Sequence, residues 1–153
     1  MRRGIRFGVD VGKARIGIAR SDPDGLLAVP LETVKRDLEG DGHVRRIVEL
    51  VEEYEAFELI VGHPLNMRGE STPSTEDAVG VAQALAAIVG VPVRLLDERL
   101  TTVSAAKQFR AAGKQASRSR QVIDQAAAVV LLQDALDRER QHDQPPGIEV
   151  STS

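Results

Sequence analysis

The chain of 153 residues contains no cysteine, no tryptophan, one tyrosine and three phenylalanines. Without thiols, disulfides, zinc–thiolate centres and cysteine nucleophiles are excluded. So few aromatic rings leave little with which to stack single-stranded bases. No apolar stretch approaches the roughly 20 residues of a membrane-spanning helix. Met1-Arg2-Arg3-Gly4 runs straight into a strand pattern, so neither a secretory nor a twin-arginine signal is expected and the cytoplasm is the expected location. The three histidines, His43, His63 and His142, show no metal-ligand spacing. A P-loop is absent as well, because Gly12-Lys13 is followed by Ala14 and Phe occupies position 7.

Positive charge is in short supply overall, with a net charge of −3. That balance argues against a passive binder of nucleic acid over the whole surface. Between Glu98 and Asp124, however, there is no acid, and Arg99, Lys107, Arg110, Lys114, Arg118 and Arg120 contribute six positive charges, leaving −9 on the rest. A basic stretch set between two acids suits a polyanionic substrate. A solvated helix face is the other reading of such a run.

What the sequence does contain is a conventional soluble composition, 42% hydrophobic and 28% charged, in a length suited to one domain. Three strands are predicted first, at 5–12, 15–20 and 26–34, joined by short turns as an antiparallel meander. Asp41 is placed to cap a helix over 42–55, where Val44, Ile47, Val48 and Val51 recur at helical spacing. The apolar run 57–62 predicts a buried fourth strand. A loop rich in Gly, Pro, Ser and Thr follows, and Ser74, with Asp77 three residues on, is expected to cap a helix that ends near Gly90. Residues 93–96 predict a fifth strand. Thr101 or Thr102 would cap a helix to about Ala112, with Gly113 as its stop, and Ser117 would cap a last helix to about Arg140. The expected domain is 1–141, with 142–153 a disordered tail.

This order predicts an α/β fold with a five-stranded mixed sheet. Strands one, four and five should lie parallel and adjacent, with the meander forming an antiparallel edge. Sites in such sheets gather at the carboxyl ends of the parallel strands.

Asp10 is the residue that most needs an explanation. Along its strand, Phe7, Val9 and Val11 share one face, while Gly8, Asp10 and Gly12 share the other. A carboxylate in a buried strand must be paired, bonded to loop backbone or bound to a metal. Glu98 follows the fifth strand, and Asp124 precedes the apolar run Ala126-Ala127-Ala128-Val129-Val130 of the last helix. Three acids converging in one cleft would repel unless a cation joined them. Oxygen ligands without His or Cys favour Mg²⁺ or Mn²⁺. Two such ions would suit phosphodiester hydrolysis.

Five segments carry a family resemblance: Gly8-Val9-Asp10-Val11-Gly12, Arg15 to Asp22, Gly62 to Gly69, Asp97 to Thr102, and Asp124 to Ala128. In this order, from about Ile5 to Leu136, they resemble the YqgF (RuvX) family. The resemblance implies a ribonuclease H-like fold and a cytoplasmic, metal-dependent nuclease. It further implies maturation of the 5′ end of pre-16S rRNA, with structured RNA as the partner. Cleavage of four-way DNA by a Holliday junction resolvase, or a catalytically silent module in ribosome assembly, are the alternatives. Oligomeric state, monomer or homodimer, is not legible.

Carried over by position, Asp10, Glu98 and Asp124 match the family's acidic triad, as catalytic and metal-holding residues. Asp97 remains the alternative to Glu98, because neighbours on a strand face opposite ways. Lys13, Arg15, Arg68 and Arg99 are candidate substrate contacts. A solvated role is the other reading for Lys13, Arg15 and Arg68, and an ion pair with an acid is the other reading for Arg99. His63 and Arg68 depart from the family's loop pattern. His63 is read mainly as a packing residue, with proton transfer as the alternative.

Overall fold

The computed structural model describes residues 1–103, Lys107 and residues 117–151, with the backbone alone for 117–124. Six strands form one sheet: β1 (Arg6–Val11), β2 (Arg15–Ser21), β3 (Ala28–Lys35), β4 (Glu58–His63), β5 (Val93–Asp97) and β6 (Ile148–Glu149). Three α-helices are described, α1 (Gly42–Tyr54), α2 (Pro73–Ile88) and α3 (Ser117–His142), and a 3-10 turn covers Glu98–Leu100. The spatial order is β3-β2-β1-β4-β5-β6. The meander β1-β2-β3 is antiparallel and β1, β4 and β5 are parallel, as the sequence pattern predicts.

The sixth strand is a correction to the expected five. Residues assigned to a disordered tail pair antiparallel with β5, Leu95 opposite Ile148 and Arg94 opposite Glu149. Two features hold them there. Val150 N–H donates to the Val93 carbonyl at 2.8 Å, and the Arg94 guanidinium donates to the carbonyls of Pro146 and Gly147. Proline and polar composition suggested disorder, yet the open edge of β5 offered unpaired backbone groups that the segment satisfies.

Each face of the sheet carries its own apolar cluster. Phe7, Val9, Leu59, Val61 and Val93 pack with α1 and α2 residues such as Ile47, Leu50 and Leu85. Ala19, Ile60 and Leu96 pack with Ala127, Ala128, Leu131 and Leu132 of α3. Gly8 lets α3 lie close on β1, since a Cβ at Gly8 would fall 2.8 Å from both the Ala128 carbonyl oxygen and the Leu132 Cβ. Pro30 lies in β3 at the edge of the sheet, opposite Ala19 where the register shifts, and there its missing N–H disrupts least.

Two caps differ from expectation. The N-cap of α2 is Thr72, which forms a reciprocal capping box with Thr75, and Ser74 lies inside the helix. Pro73 explains the earlier start, because its fixed φ suits the first helical position. Asp41 does stand at the N-cap of α1 but makes no side-chain cap bond, and it pairs with Arg45 instead. Arg36, just past β3, donates two bonds of 2.9 Å to the Asp77 carboxylate of α2. It also donates to the Gly12 carbonyl at 2.8 Å. Most of the helix expected over 101–112, and its stop at Gly113, lies outside the described residues.

Candidate functional site

Asp10 lies near the carboxyl end of β1 and is 1% exposed. It sits on the α3 face with Gly8, as strand alternation requires. Glu98, 5% exposed, opens the 3-10 turn just beyond β5. Leu96 packs on the α3 face, so two residues on, Glu98 returns to the same side. Strand β4 runs between these two acids. Val9 pairs with Val61, and the next residue of β4 is Gly62. A Cβ at Gly62 would collide with the Glu98 carboxylate. The glycine therefore leaves room for the Glu98 carboxylate to lie over β4.

The Lys107 ammonium bridges the two acids. Its Nζ lies 3.2 Å from Asp10 Oδ1, 2.9 Å from Glu98 Oε1 and 3.1 Å from Glu98 Oε2. Burial acts to lower the Lys107 pKa, but the charges of Asp10 and Glu98 outweigh it and raise the group above its ordinary value. The ammonium is held protonated. Lys107 is the residue that sequence reasoning missed. It was visible only as one charge among six in the acid-free stretch, with nothing in the pattern to single it out.

Asp97 and Glu98 have different partners. Asp97 caps the 3-10 turn through Arg99 N–H and pairs with the Arg99 guanidinium, Nη2 to Oδ2 at 2.7 Å. The hydrogen bond from Arg99, with its charge, holds the Asp97 carboxyl below its ordinary value. Glu98, not Asp97, therefore shares a cation with Asp10. Arg99 is exposed and rests against the loop after β4, where a Cβ on Gly69 would lie 2.8 Å from its Nη1. Thr101 donates its hydroxyl to the Glu98 carbonyl at 2.9 Å and accepts from Val103 N–H, fixing the turn that presents Glu98.

The other candidates are more scattered. Lys13 is exposed in the β1–β2 turn, which is closed by Gly12 N–H donating to the Arg15 carbonyl. Arg15 is half-buried at the head of β2. Arg68 is exposed in the loop, its backbone N–H bonded to the Asn66 side chain. His63, at the end of β4, lines a cavity of about 500 Å³ with Leu96, Asp97, Leu100, Arg138 and His142. Asp124 belongs to α3, but its side chain lies outside the described residues, as do Arg110, Lys114, Arg118 and Arg120. Among the described residues, no group of three His, Cys, Asp or Glu could hold a metal ion.

The donors present still fit a hard divalent cation. Asp10 and Glu98 offer carboxylate oxygens alone, and a positive charge, the Lys107 ammonium, already sits between them. No described helix is long and apolar enough to cross a membrane.

A family model described as "RuvX: Holliday junction resolvase" matches residues 4–138. A protein of Clavibacter michiganensis subsp. michiganensis, named "Putative pre-16S rRNA nuclease", is 54% identical over 147 residues, 96% of this chain and 91% of that protein. One of the same name from Mycobacterium sp. (strain KMS) is 52% identical over 146 residues, 95% of this chain and 86% of that protein. Among solved structures, T. thermophilus RuvC in complex with Holliday junction substrate superposes with a TM-score of 0.60 at 20% identity, over 96% of this chain and 99% of that one. Thermus thermophilus RuvC alone gives 0.57 at 19%, over 95% and 99%. These likenesses show the fold, which is ribonuclease H-like.

Proposed function

The chain belongs to the RuvX family, and from that premise we propose that it is a cytoplasmic nuclease that hydrolyses phosphodiester bonds of the pre-16S rRNA precursor. The reading rests on one observation above all. Two buried acids, Asp10 of β1 and Glu98 of the 3-10 turn after β5, converge on a single cation.

Asp10, Glu98 and Asp124 are the residues that would hold Mg²⁺ or Mn²⁺, in a pair of sites. When bound, such ions supply Lewis-acid polarisation of the phosphate and a lowered pKa for water. The protein supplies position. β1 and the 3-10 turn hold two carboxylates, and Gly62 leaves room for that of Glu98. Sites built on strands are positioned more accurately than sites built on loops. Arg99, Lys13, Arg15 and Arg68 are the residues that would contact phosphate. Contacts to the nucleic acid backbone fit a chain with few aromatics, which favours reading shape and charge over bases.

The test is cleavage of a structured rRNA precursor and of a four-way DNA junction, each with Mg²⁺ and with Mn²⁺. Asp10→Asn and Asp124→Asn should each lower the rate on the cognate substrate by at least about a hundredfold, more than changes in a metal's outer shell produce. Unchanged rates in either variant would sink the assignment of that acid. Cleavage of the junction alone would move the substrate from RNA to branched DNA, the reading that the family's description favours.

A further inference from the structure

We propose that Lys107 is a built-in competitor for the divalent ion, holding the Asp10–Glu98 pair in the metal-free protein and setting the affinity with which an ion displaces it. The inference rests on the reading of these two acids as metal-holding. It concerns what they do when no metal is there.

Two carboxylates this close repel, and a metal-free protein must either protonate one of them or supply a counter-charge. This chain supplies the charge itself. One ammonium contacts three carboxylate oxygens of two residues at 2.9–3.2 Å. The Lys107 side chain is 24% exposed against 2% and 7% for its partners, so its ammonium has a short route to solvent while the acids do not. The nearer basic residue in sequence, Arg99, is held by Asp97.

A divalent ion shared by Asp10 and Glu98 needs the space that the ammonium fills. Two cations cannot occupy it together. A divalent ion brings twice the charge of the ammonium to the same two carboxylates, so the ion prevails once its concentration suffices. Its binding energy is reduced by what is spent in removing the lysine, as for any ligand whose competent state is only fractionally populated. Lys107 is thus a positioning residue whose removal should strengthen metal binding.

The experiment is titration of Mn²⁺ into the full chain by calorimetry, with metal-free melting temperatures measured in parallel. Lys107→Met and Lys107→Gln, which remove the charge, should tighten Mn²⁺ binding about tenfold, or about 1.4 kcal/mol. Both should also lower the metal-free melting temperature. Lys107→Arg, which keeps the charge, should stay closer to wild type than either. Unchanged or weakened Mn²⁺ binding in folded Lys107→Met and Lys107→Gln proteins would overturn the proposal and leave the metal reading intact. Absence of Mn²⁺ binding from wild type and all variants would overturn both.

Discussion

Gly62 acts at the site through the side chain it does not have. Neighbouring strands lie about 4.8 Å apart, so β1 and β5, with β4 between them, are separated by roughly 10 Å. Glu98 reaches back across that interval, and its carboxylate lies where a Cβ on Gly62 would be. Gly62→Ala should therefore displace the carboxylate and lower the nuclease rate at least about tenfold, in line with small misplacements of reacting groups. Initial rates at saturating Mn²⁺ check this, with circular dichroism confirming the fold. Asp10 could be read from the sequence because a carboxylate in an apolar strand is costly. The choice between Asp97 and Glu98 could not, since it depends on where β5 ends and the 3-10 turn begins. Lys107 was equally hidden, because its partners are 97 and 9 residues away along the chain.

Among the elements, α3 ties the site's face of the sheet to its opposite end. Its residue Glu139 is buried and accepts from Arg2 and Arg6, with Arg2 Nη2 at 2.5 Å and Arg6 Nη2 at 3.0 Å. Burial pushes the Glu139 carboxyl up, but the hydrogen bonds and charges of Arg2 and Arg6 outweigh it and hold the group below its ordinary 4.5. A depressed carboxyl stabilises the fold above its unfolded value and loses that contribution as pH falls through the folded one. Glu139→Gln should cost about 3 kcal/mol at neutral pH, the low end for breaking a buried pair. It should also flatten the loss of stability below pH 4.5. Urea denaturation at pH 7 and across the acid range measures both. The helix itself was evident from its apolar run. The start of α2 was less so, because Thr72 and Ser74 are both good caps and only Pro73 between them decides the frame.

For the molecule as a whole, the sequence pattern conveyed layers and strand order because hydrophobic periodicity and short turns are local signals. It missed β6, which exists only because β5 presents an edge. Ending the chain at residue 142 removes that strand and the bonds Arg94 makes to Pro146 and Gly147. The loss should be about 1–2 kcal/mol, or about 3–6 °C in melting temperature, measured by calorimetry. Cleavage below the melting range should be unaffected, because β6 pairs with Arg94 and Leu95 on the edge of β5 away from β1.

Arg36 gives the molecule a mechanical property of a different kind. One guanidinium grips the carbonyl of Gly12, two residues past Asp10, and the first turns of a helix on the far layer. The hairpin tip is thereby moored to α2. Any force on the segment leading into that helix is transmitted to the end of β1 rather than absorbed by slack between them.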